Sequence, residues 1–70
     1  MGVLKTSFYA WKRIAHPEIR LTQLQVEYID IFFKNVESAE DEPLPNVEGQ
    51  SILQSLISEF WNNAGQRLLL

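Results

Sequence analysis

The stretch Leu21-Thr22-Gln23-Leu24-Gln25-Val26-Glu27-Tyr28-Ile29-Asp30-Ile31-Phe32-Phe33 decides the fold class, because it can be read with two different periods. Leu24, Val26 and Tyr28, then Ile29, Ile31 and Phe33, alternate as a half-buried strand would. Against that stands Thr22-Gln23-Leu24-Gln25, a capping box in which Thr22 accepts from the Gln25 amide while the Gln25 side chain reaches back to Thr22. Leu21 and Val26 occupy the staple positions on either side of it. The adjacent apolar pairs Tyr28-Ile29 and Phe32-Phe33 also favour a helix, since a strand sends neighbouring side chains to opposite faces. The spacing predicts a helix over 22–36.

On that helix Gln23, Glu27, Asp30 and Lys34 form a polar stripe, with Asp30 and Lys34 spaced for an i, i+4 ion pair. Apolar residues take the remaining circumference, about two-thirds of the whole, broken by Gln25 and Asn35. Two neighbours in a minimal bundle cover only part of such an arc. A second copy or a partner protein is expected to cover the rest.

Working outward, Leu4, Phe8, Trp11 and Ala15 fall on one helical stripe upstream, with Lys5, Tyr9, Lys12 and Arg13 beside it. This predicts a first helix over about 3–15, closed at His16-Pro17 by the proline ring. Downstream, Glu37-Ser38-Ala39-Glu40-Asp41-Glu42-Pro43-Leu44-Pro45-Asn46 breaks the pattern, and residues 37–48 read as an acidic connection longer than helical hairpins use. Such a connection is expected to be mobile or functional. A third helix over about 49–64 follows from Ile52, Leu53, Leu56, Ile57, Phe60, Trp61 and Ala64, opposed by Ser51, Gln54, Ser55, Ser58, Glu59 and Asn62. Gly65 can cap it, or Leu68-Leu69-Leu70 can extend it. The expected fold is all-α: a small three-helix bundle forming a single domain over 1–70, completed by dimerisation or by a partner protein.

Composition agrees and excludes much else. Seventy residues hold one domain, hydrophobic residues make up 46%, and there is no cysteine. Disulfides, thiolate metal sites and cysteine catalysis are therefore absent, and one histidine makes a zinc staple improbable. No apolar run approaches the roughly 20 residues a membrane span needs. The net charge of −3 is unevenly laid out, at +3 over residues 1–20 and −6 over residues 21–48. That split favours contact between the head and the middle of the chain, or between copies.

Candidate sites follow by elimination. His16 is the only histidine and no nucleophile motif accompanies it, so no enzyme is expected and no catalytic residue or cofactor is assigned. Glu27 and Asp30 share a face, but Lys34 is a simpler partner for them than a metal ion. Nucleic acid is a disfavoured partner, since the third helix lacks Lys and Arg between Ser51 and Asn63 and the sequence pI is near 4.9, so a small nucleic-acid-binding regulator using Lys5, Tyr9, Lys12 and Arg13 ranks only third. A second reading makes the protein a peripheral membrane protein, with Lys5, Lys12 and Arg13 as the basic surface of an amphipathic first helix. Met1-Gly2-Val3-Leu4-Lys5-Thr6 also fits a loose myristoylation pattern.

The leading expectation is a non-catalytic interaction, adaptor or regulatory module, homodimeric, presenting an apolar helix face and an acidic loop to a protein partner. Its expected anchors are the aromatics Trp11, Tyr28, Phe33, Phe60 and Trp61, with Leu68 beside them and the acids Glu40, Asp41 and Glu42 as a docking stripe. The absence of cysteine and of a standard secretory signal fits a cytoplasmic setting.

Overall fold

Three helices follow one another along the chain: α1 (Val3–Ala15), α2 (Gln23–Ser38) and α3 (Gln50–Leu69). They come from a computed structural model that describes the backbone of residues 3–69 and the side chains of residues 4–64. No strand occurs among the described residues, so the capping box at Thr22 outweighs the two-residue alternation that follows it. Each helix touches both others, and the bundle measures 36 × 31 × 19 Å.

The start of α2 has the geometry its sequence asks for. Thr22 is extended, the Gln25 amide donates to Thr22 Oγ1 at 3.2 Å, and the Thr22 amide donates to Gln25 Oε1 at 2.8 Å. Two amides that the first turn would leave unpartnered are thereby satisfied. At the other end Ala39 adopts a left-handed conformation, φ 54° and ψ 35°, and both its amide and that of Glu40 return to the Asn35 carbonyl.

The acidic connection is held along α2 by two amide side chains. Asn35 pairs with the Glu42 backbone in both directions, donating from Nδ2 to the carbonyl at 2.8 Å and accepting from the amide at 3.1 Å. Gln25 Nε2 donates to the Glu48 carbonyl at 2.8 Å. Gly49 then turns the chain into α3 with φ 70°, and its carbonyl accepts the Leu53 amide. Asn35 and Gln25, which looked in sequence like interruptions of an apolar surface, fasten the connection at both ends.

The three helices enclose a common core. Phe8, Tyr28, Ile29, Phe33, Leu53, Leu56, Ile57 and Phe60 are buried, with Leu4, Trp11, Ile19, Leu21 and Phe32 packed around them. Phe8 from α1, Phe33 from α2 and Phe60 from α3 meet at ring-centroid separations of 5.4, 5.5 and 6.1 Å. The two pairs with Phe60 are edge to face, the arrangement aromatic quadrupoles favour. Among the described residues, no polar side chain is buried and no buried polar atom lacks a partner. At the far end α3 runs through Gly65 to Leu69, so the glycine does not end the helix. The Leu68 side chain, Leu70 and the Met1-Gly2 pattern lie outside what the structure describes.

Candidate interaction surface

The structure divides the expected aromatic anchors into two groups. Tyr28, Phe33 and Phe60 lie in the core, because all three helices converge on them. Trp11 is half-buried and stacks against Phe8, Phe60 and His16. Trp61 alone stands outside, with half of its surface in solvent. Burial is thus taken by the aromatics that sit where the helix faces cross, which periodicity along one helix does not reveal.

Around Trp61 the surface is apolar and uncharged. A groove of about 410 Å³ between α2 and α3 is lined by Phe32, Val36, Ile57 and Trp61, with Gln54, Ser58 and Asn62 as its polar rim. Val36 is 44% exposed there. On the other flank of α3 a second groove runs between Trp11, Ile14, Phe60 and Ala64, and among the described residues Ile14 is the most exposed large hydrophobic side chain, at 84%. Leu24 and Ile52 are also exposed, at the opposite end of the bundle from Trp61 on their helices.

The acids Glu40, Asp41 and Glu42 are exposed beside the C-terminal end of α2. Glu42 is oriented by Lys34 Nζ at 2.8 Å, and that hydrogen bond raises the Lys34 pKa above its ordinary value. Leu44, between Pro43 and Pro45, is exposed as well.

Lys34 therefore does not pair with Asp30 as helical spacing suggested. Asp30 is taken instead by α1, with Lys5 Nζ at 3.7 Å and the Tyr9 hydroxyl donating at 3.2 Å. Burial of the phenol and the nearby Asp30 charge push the Tyr9 pKa up, so it remains a donor. The Leu4 amide donates to Glu37 Oε1 at 3.0 Å, placing a carboxylate at the positive end of α1. Head and middle of the chain thus attract each other within one molecule.

The same contacts draw on the basic surface. Lys5 is committed to Asp30, Lys12 Nζ donates to the Ile19 carbonyl, and Arg13 is exposed. Leu4, Phe8 and Trp11, the stripe that would enter a lipid surface, face the core. Among the described residues no helix is long and apolar enough to cross a membrane, and no cluster of three potential metal ligands occurs. Comparison with protein-family models, with curated proteins and with solved structures finds no match.

Proposed function

We propose that this chain is a non-catalytic protein–protein interaction module, and that the partner seated on its α2–α3 groove is a second copy of itself. The observation that carries the reading is the half-exposed Trp61, set in an apolar groove whose rim is uncharged. A twofold pairing places each residue near its own counterpart, so a charged face would repel itself. Gln54, Ser58, Trp61 and Asn62 bring no charge to that encounter. Glu59, the one charge on α3 between Ser51 and Ala64, is engaged by His16 instead.

In the paired state the grooved face would be covered, leaving the exposed acids Glu40, Asp41 and Glu42 at the edge to contact a further, basic protein. A cytoplasmic setting belongs to this reading, since a chain without cysteine is indifferent to a reducing environment.

Sedimentation equilibrium from low to high micromolar concentration tests the pairing. The expected result is a concentration-dependent doubling of mass, which Trp61→Glu abolishes while circular dichroism shows the helices intact. A folded wild-type chain that stays at 8.1 kDa throughout would remove the homodimer.

A further inference from the structure

His16 sits immediately after α1, and its ring joins three parts of the molecule. Nε2 lies 3.0 Å from Glu59 Oε1 on α3, and Nδ1 lies 3.3 Å from Glu18 Oε2 on the connection between α1 and α2. The ring also packs edge-on against the Trp11 indole at 5.6 Å, and Trp11 in turn packs against Phe60. Its backbone is fixed on both sides, the amide donating to the Lys12 carbonyl and the carbonyl accepting from the Ile19 amide. Movement at this residue is therefore left to the side chain.

The chemistry of the two contacts determines the protonation state they need. An ionised carboxylate only accepts, so each nitrogen must carry a hydrogen to bond it. A neutral imidazole has one such hydrogen and the imidazolium has two. With a carboxylate on each nitrogen, only the cation satisfies both. The charged groups around the ring are Glu18 on the connection, Glu59 on α3 and Lys12 on α1, whose ammonium is directed to the Ile19 carbonyl.

We propose that His16 is a proton-operated clasp: protonated, it fastens the α1–α2 connection to α3 beside Trp11, and on losing its proton it releases one carboxylate and loosens that edge of the bundle. Beneath the clasp lie Ile19, Ile52 and Leu56, which form a shallow groove between the connection and the first half of α3. Release would widen that groove and expose the Trp11 edge to water.

The electrostatics run in the same direction. The hydrogen bond to Glu59 is the largest influence on His16 and, with Glu18, raises its pKa above the ordinary value despite an opposing desolvation. Glu18 is held below the usual carboxylate range, first by its own backbone amide and then by His16. A raised histidine contributes its stability fully below its unfolded pKa of about 6.5 and loses it as pH rises through the folded value. A lowered glutamate contributes above its unfolded pKa and loses its share as pH falls through the folded value. The clasp is closed between those limits and opens as pH rises through the raised His16 value.

Two signals from one titration test it. The single histidine gives an unambiguous imidazole resonance by NMR, and Trp61→Phe leaves Trp11 as the only indole emitter. The expected result is a His16 midpoint above 6.5, with Trp11 emission changing at that same midpoint and Glu59→Gln lowering both together. A His16 midpoint at or below 6.5, or Trp11 emission that stays flat across the midpoint, overturns the clasp. Both readings come from chains with Glu59 in place, so the test stands even if Glu59→Gln fails to fold.

Discussion

Ala39 is the one non-glycine among the described residues with a positive φ, and it pays for ending α2 with a contact between its own Cβ and the backbone. A left-handed alanine costs roughly 1–2 kcal/mol, while glycine at the same site loses about 0.4–1 kcal/mol more chain entropy on folding. The first effect is the larger, so Ala39→Gly is expected to stabilise the protein by about 0.5 kcal/mol, read as a higher urea midpoint with unchanged slope. An unchanged or lower midpoint would mean that the left-handed turn carries no strain. Sequence gave no signal for this residue, because a left-handed alanine depends on where Asn35 and Glu40 pull the chain. Single ion pairs were hidden for a related reason: Asp30 and Lys34 match on a helical wheel, yet Lys5 and Glu42 arrive from other elements and compete for them.

At the scale of elements, local chemistry was legible and crossings between elements were not. The Thr22 box set the start of α2, the His16-Pro17 pair marked the end of α1, and both lie where spacing put them. The cap is therefore the clearest local test. Thr22→Ala removes the oxygen that accepts the Gln25 amide and is expected to cost about 1 kcal/mol in equilibrium unfolding. A loss below a few tenths would place the helix start in the control of packing alone. Of the two ends the spacing allowed for α3, the structure takes the longer, because a glycine inside a helix costs only about 1 kcal/mol and flanking residues can outweigh it. The acidic connection showed its composition in the sequence but not its fastening, which depends on Gln25 and Asn35 meeting backbone groups far along the chain.

Over the whole molecule, stability rests on a joint to which each helix contributes one ring. Removing the central one should be felt everywhere: Phe33→Ala is expected to cost about 3–5 kcal/mol, comparable to the total that a domain of this size commands. Loss of a cooperative thermal transition in that variant, with Phe33→Leu retaining one, is the expected outcome by calorimetry. Which aromatics were internal could not be read from spacing, since Phe60 and Trp61 are neighbours on one helix and only the other two helices decide between them. The all-α class and the helix order, by contrast, were legible throughout. The fastened connection has a last consequence, in chain statistics. Anchors at Glu42 and Glu48 leave only residues 43–47 to close a loop, and two of those are prolines that wander little when unfolded. Thermodynamically, a long acidic segment behaves as a short, stiff hairpin link.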